Sequence, residues 1–207
     1  MTKLEFGKYY HIYNRGVNRC NLFYINDNYR YFLRQYEKYI DPVADTFAWA
    51  LLKNHFHLLV RIKEESEINI AHLPVPVHAK QSDQPVALKQ PHLYFSDLFN
   101  AYSQAINKQE NRTGSLFQRP FSRVHVDNPA YFKNLVIYIH TNPVHHGFVD
   151  DYRDYPWTSY GSVLSLQPTR LRREKVIGWF NSKGDFIKDH LKTPAEEIPG
   201  KYIIDEF

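Results

Sequence analysis

Residues 53–62, "KNHFHLLVRI", set two imidazoles one residue apart inside an apolar run. The run is rich in strand formers, and a strand turns successive side chains to opposite faces. Phe56, Leu58, Val60 and Ile62 then make one apolar face, while His55, His57, Leu59 and Arg61 share the other. Upstream, "TFAWALL" (46–52) is a second strand-forming run, separated from the first by Lys53 and Asn54. That spacing predicts a tight antiparallel hairpin with the histidines at the start of its second strand.

Working outward, "KYYHIYN" (8–14) reads as a first strand, closed by the "NRGVNR" loop in which Gly16 is expected at positive φ. In "NDNYRYFLRQYEKYI" (26–40), Tyr29, Phe32, Leu33, Tyr36 and Ile40 recur at helical spacing. Asn26 or Asp27 is the expected cap of that helix, and Asp41-Pro42 its end. Residues 64–92 hold Pro74, Pro76, Pro85 and Pro91 and no aromatic side chain, and read as a long mobile loop. A helical stripe returns over 94–110 in Phe95, Leu98, Phe99, Tyr102 and Ile106. A strand is expected over 121–126, then a helix capped by Asp127 or Asn128 with Pro129 in its first turn. This order of strands and helices predicts an α+β sandwich in which helices cover one face of an antiparallel sheet and leave the other to His55 and His57.

A chain of 207 residues can build one sizeable core with appendages. The expected division is a domain over 1–160 and a C-terminal extension over 161–207. Cys20 is the only cysteine, which excludes an intrachain disulfide and a Cys-rich zinc site. The net charge of +4 suits a polyanionic partner. "MTKLEFGKYY" lacks a signal-type apolar core and no run approaches a membrane span, so no membrane partner is expected and residence is expected to be cytoplasmic.

Two imidazoles on alternate strand positions can chelate one divalent cation, although a His-x-His on a strand is also an ordinary polar sheet face. A second element bears on that choice. In "NLVIYIHTNPV" (134–144), Val136 and Ile139 join Phe132 in a core-facing stripe, and Tyr138 and Asn142 lie four residues apart on an adjoining face. Pro143 disfavours helical geometry at Asn142, which places the amide at an exposed helix end beside the tyrosine. Tyr131, two turns before Tyr138, shares that side and is the best rival for its role.

"YHIYNRGVNR", "NHFHLLVR", "LFQRPF", "YIHTNPVHHGFV" and "DYPWTSY", in this order, resemble the HUH single-strand DNA transposases, in particular the REP-associated tyrosine transposase (IS200-like) group. The resemblance runs from about residue 8 to residue 160. It implies a ferredoxin-like catalytic domain. It further implies that His55 and His57 bind a divalent metal, Mg or Mn, that Asn142 is a third ligand, and that Tyr138 is the nucleophile. The implied chemistry is metal-dependent cleavage and rejoining of single-stranded or hairpin DNA through a 5′-phosphotyrosine, by a monomer or a homodimer. Arg15, Arg19, Arg119 and Arg123 flank the proposed face and are candidate phosphate contacts. "TRLRREKVIGWF" (169–180) reads either as a basic helix on a hairpin stem or as a packing helix.

Two other readings compete. One is a catalytically inactive DNA-binding regulator of the same fold. The other is a histidine-triad nucleotide hydrolase, whose third alternating histidine is here Leu59.

Overall fold

The computed structural model describes residues 2–74, 87–128 and 130–192. Pro76, His78, Pro85 and Pro129, and the end of the extension after 192, lie outside them.

Four strands form one antiparallel sheet: β1 (Tyr9–Arg15), β2 (Ala44–Leu52), β3 (His55–Ile62) and β4 (Ser122–His125), in the order β2-β3-β1-β4. Helix α1 (Asn26–Tyr39) links β1 to β2, and α2 (Pro91–Gln109) links β3 to β4. This is the split βαββαβ topology of a ferredoxin-like sandwich. The hairpin forms as its two-residue link predicts, with Leu52 opposite His55. A register shift between Thr46 and Ala48 accommodates Phe47, which is fully buried.

Alternation in β3 sorts its side chains as the sequence predicts. Phe56, Leu58, Val60 and Ile62 join the stripes of α1 and α2 in one core. Phe32 lies at its centre, fully buried, with its ring 5.1 Å from Tyr102 and 5.4 Å from Phe56. Phe32→Ala is expected to cost about 3–5 kcal/mol, because the packed rings around it cannot collapse into the space. A lower urea midpoint at unchanged slope would show it.

The opposite face is not bare, and here the expectation is corrected. Leu59 with Phe47, Ala48, Ala50 and Leu52 packs under α3 (Ala130–His145), and α4 (Tyr160–Leu164), α5 (Arg173–Trp179) and α6 (Lys183–Lys192) add Tyr160, Val163, Val176, Phe180 and Phe186 to this second core. The sheet therefore carries helices on both faces. The physical reason is that this side of β2 and β3 is itself too apolar to leave in water.

Four smaller expectations are also revised. Gly16 has φ −65°, and the positive-φ residues of its loop are Asn18 and Arg19. Glycine is needed at 16 for close approach: a β-carbon there would sit 2.0 Å from the Cys20 carbonyl oxygen. The start of α1 is capped from within, by the Asn28 Oδ1 accepting from the amides of Tyr24 and Ile25. In the segment 64–92, the described part is ordered by two short 3-10 turns, Glu65–Glu67 and Ile70–His72, with Ile68 and Leu73 in the first core. Finally, α3 runs through Pro143 to His145 rather than stopping before it.

Candidate active site

Pairing β1 against β3 places Arg15 opposite His55, Tyr13 opposite His57 and His11 opposite Leu59. Alternation then sets His11, Tyr13 and Arg15 on the histidine face. His11 is the diagonal neighbour of His57, and its Nε2 lies 2.9 Å from His57 Nδ1. The chain position of His11 does not single it out; the β1–β3 register does.

Helix α3 crosses this face. Tyr138 stands edge-on to His57, ring centroids 5.4 Å apart, and 6.2 Å from His11. One turn further, Asn142 Oδ1 lies 3.1 Å from His55 Nε2. The fold thus brings both motifs together within one chain. Tyr13 stacks on His57 with ring centroids 6.0 Å apart and is a second rival tyrosine beside the pair.

The group is more buried than the sequence implies. His57 and Asn142 are fully buried, Tyr138 is 4% and His55 5% exposed, so Asn142 is not the exposed helix end that Pro143 predicts. The helix continues past Pro143 by passing the turn to later donors: the Asn142 carbonyl accepts from the His146 amide and that of Pro143 from Phe148.

Burial decides the protonation state. Desolvation first, then the neighbouring His146, pushes the His55 pKa down to about 3. His57 is driven well below the ordinary imidazole value by burial, then by His11 and His55. Both rings are neutral near pH 7 and hold a lone pair for a metal.

The residues fit a divalent cation. His57 Nε2 and Asn142 Nδ2 are buried with no hydrogen-bond partner. His55 faces two amide oxygens, Asn54 Oδ1 at 2.8 Å from Nδ1 and Asn142 Oδ1 at 3.1 Å from Nε2. A neutral imidazole has one N–H, so it cannot donate to both. If Nδ1–H takes Asn54, the Nε2 lone pair meets the Asn142 oxygen. Such a pair suits a shared cation, since two ligands each about 2.1 Å from an octahedral ion stand about 3.0 Å apart. Among the described residues no three His, Cys, Asp or Glu side chains group to hold a metal; the third donor beside His55 and His57 would be the Asn142 amide.

The candidate arginines divide. Arg15 and Arg19 line a cleft of about 230 Å³ with Asn54, His55 and His146, directly beside the histidine pair. Arg119 and Arg123 line another cavity, of about 610 Å³, between α2 and residues 115–123, with Asn14, Phe99 and Gln118. Asn14 and Arg15, successive residues of β1, face these separate spaces. The basic run near 170 is tied to the domain: Arg170 pairs with Glu37 and Asp41, Arg172 with Asp45, and Arg173 donates to the carbonyls of Ser162 and Gln167.

Fold and site together define a ferredoxin-like α+β domain with paired histidines on a central strand under a tyrosine-bearing helix. The structure of a REP-associated tyrosine transposase bound to a REP hairpin matches with a TM-score of 0.55 at 18% identity, covering 81% of this chain and 86% of that one. In sequence, a Haemophilus influenzae protein named "Putative REP-associated tyrosine transposase" is 29% identical over 119 residues, which is 56% of this chain. The match spans 58% of that protein's length. No family model matches the chain. The resemblance to the REP-associated tyrosine transposase group is thus supported by sequence and by fold. Among the described residues no helix is long and apolar enough to cross a membrane.

Proposed function

We propose that this protein is a metal-dependent single-strand DNA transposase that cleaves and rejoins DNA through a 5′-phosphotyrosine on Tyr138, acting on hairpin DNA of the REP kind in the cytoplasm. The observation that carries this reading is the meeting of Tyr138 and Asn142 with His55 and His57, 80 or more residues away in the chain. His55, His57 and Asn142 would hold the ion, Mg or Mn. When bound, it would polarise the scissile phosphate and offset the charge that develops there.

The remaining steps belong to the chain. The Tyr138 oxygen attacks phosphorus in line and the bond to the 3′ oxygen breaks; the phenolic proton leaves to water and the departing oxygen gains one, giving a 3′-hydroxyl. The ester conserves the bond, so another 3′-hydroxyl can reverse the step without ATP. A phenol, with an ordinary pKa near 10, leaves more readily than an alcohol would. Arg15 and Arg19, in the cleft beside His55, would hold flanking phosphates; Arg119 and Arg123 would do so at the second cavity.

The test is to incubate the protein with Mn and labelled single-stranded hairpin oligonucleotides from the flanks of its own gene and to look for label on denatured protein. A covalent band whose formation is reduced when EDTA is present from the start supports the proposal. The burial of Tyr138 and His57 favours one alternative, a DNA-binding regulator of the same fold. Tight binding without an adduct across metals and flanks would establish that instead. For the arginines, Arg15→Ala and Arg19→Ala should each weaken binding and reduce the slope of log affinity against log salt by roughly 0.7, the value for one phosphate contact on a single strand. An unchanged slope would remove that residue from the interface.

A further inference from the structure

His140 lies between Tyr138 and Asn142 in sequence, but at ~100° per residue it projects from the other side of α3. It is fully buried there, and it belongs to a continuous chain of hydrogen bonds. Its Nδ1 is 2.9 Å from His190 Nε2 on α6, and its Nε2 is 2.7 Å from Ser159 Oγ. Ser159 Oγ accepts from the Trp49 amide of β2 at 2.9 Å, and His190 Nδ1 stands 2.7 Å from the Phe186 carbonyl oxygen.

The direction of every bond follows from one end. The Phe186 carbonyl can only accept, so His190 carries its proton on Nδ1. Burial lowers the His190 pKa to about 4 and keeps the ring neutral, so its Nε2 is an acceptor. His140 must then donate from Nδ1, which leaves its Nε2 to accept from the Ser159 hydroxyl. No atom of this chain is among the buried polar groups without a partner. The surroundings are aromatic, with Tyr152, Tyr160, Phe180 and Phe186 against His190. An ion pair between Lys133 and Asp189 ties the same two helices nearer the surface.

We propose that His190, acting through His140, is a positioning residue that sets the rotation of α3 on the sheet and so the placement of Tyr138 and Asn142 over His55 and His57. The proposal rests on the reading of Tyr138 as the nucleophile and Asn142 as a ligand. The C-terminal helix α6 is then part of the machinery that aims the site. The chain spans β2, α3 and α6, so a turn of α3 that misplaced Tyr138 would break it and strand a buried N–H. Misplacement of about 1 Å can cost roughly a hundredfold in rate.

The experiment uses the full chain. In the ¹⁵N-labelled protein without metal or DNA, both His140 and His190 should show the Nδ1–H tautomer; Nε2–H on either ring overturns the chain of bonds. His190→Leu keeps the volume and removes the acceptor. It should weaken the proton–proton contact between the Tyr138 and His57 rings and slow adduct formation at saturating DNA by roughly 10–100-fold, with DNA affinity nearly unchanged. His190→Gln, which can still present an oxygen to His140, should recover part of both, and it serves alone if the Leu variant does not fold. A Tyr138–His57 contact unchanged in both variants overturns the positioning role. That contact is read without chemistry, so wild type that forms no adduct would count against the proposed function and leave this test standing.

Discussion

Tyr138→Phe is expected to abolish covalent capture of a hairpin oligonucleotide while DNA affinity stays within about threefold, the pattern of a group that acts in the transition state and not in binding. The ring is 4% exposed and packs edge-on against His57 and His11, so the phenylalanine ring retains its packing and the fold. Only the phenolic oxygen, the proposed nucleophile, is lost. Tyr13→Phe and Tyr131→Phe are the necessary controls, because Tyr13 also lies against His57. Adducts persisting in Tyr138→Phe and vanishing in Tyr13→Phe would move the nucleophile from the helix to β1.

Acid should unfold the metal-free protein far more steeply than its charge suggests. Five histidines are held neutral in the two layers behind and within the site. His11 and His55 are lowered to about 3 and His190 to about 4, chiefly by burial, and His57 and His140 lie well below the ordinary value for the same reason. Their pKa values are depressed in the folded state, so below about 6.5 the unfolded chain binds more protons than the folded one. Stability is then fully present above that value and falls as pH drops toward 3–4. Each group that stays neutral in the folded protein costs about 1.4 kcal/mol per pH unit once the unfolded imidazole is charged, a large part of a typical total of about 5–15. Circular dichroism should therefore show a cooperative transition between about pH 6.5 and 4. Bound Mn should move it to lower pH, because an ion on neutral imidazoles binds only the folded state. A chain folded at pH 4 without metal would contradict the neutral histidine cluster.

The strand pattern of the hairpin, the stripes of α1 and α2 and the order of elements were all legible in the chain, because each depends on residues a few positions apart. The same holds for the pairing of His55 with His57 on one face, which alternation alone requires. Tyr138 and Asn142 were legible as a helix pair, but only the family resemblance, and no periodicity or spacing, set them with the histidines. That meeting depends on α3 packing across the second face of the sheet, through Phe132, Val136 and Ile139 against Phe47, Ala50 and Leu59.

What the sequence misjudged about the cover over the site has one cause. Reading 46–62 as a sheet with a single apolar face undercounted Phe47, Ala48, Ala50, Leu52 and Leu59, which together demand a second cover. From that cover follow the burial of Tyr138 and Asn142 and the docking of α6. His11 was hidden for a related reason: its role exists only through the register that sets β1 diagonally against His57. The sequence by itself determined the local elements and the chemical types available, since periodicity and residue chemistry are short-range. Only the tertiary structure decided which imidazoles meet, which stay neutral and how the tyrosine helix is held, because these are set by desolvation and by contacts between segments distant along the chain.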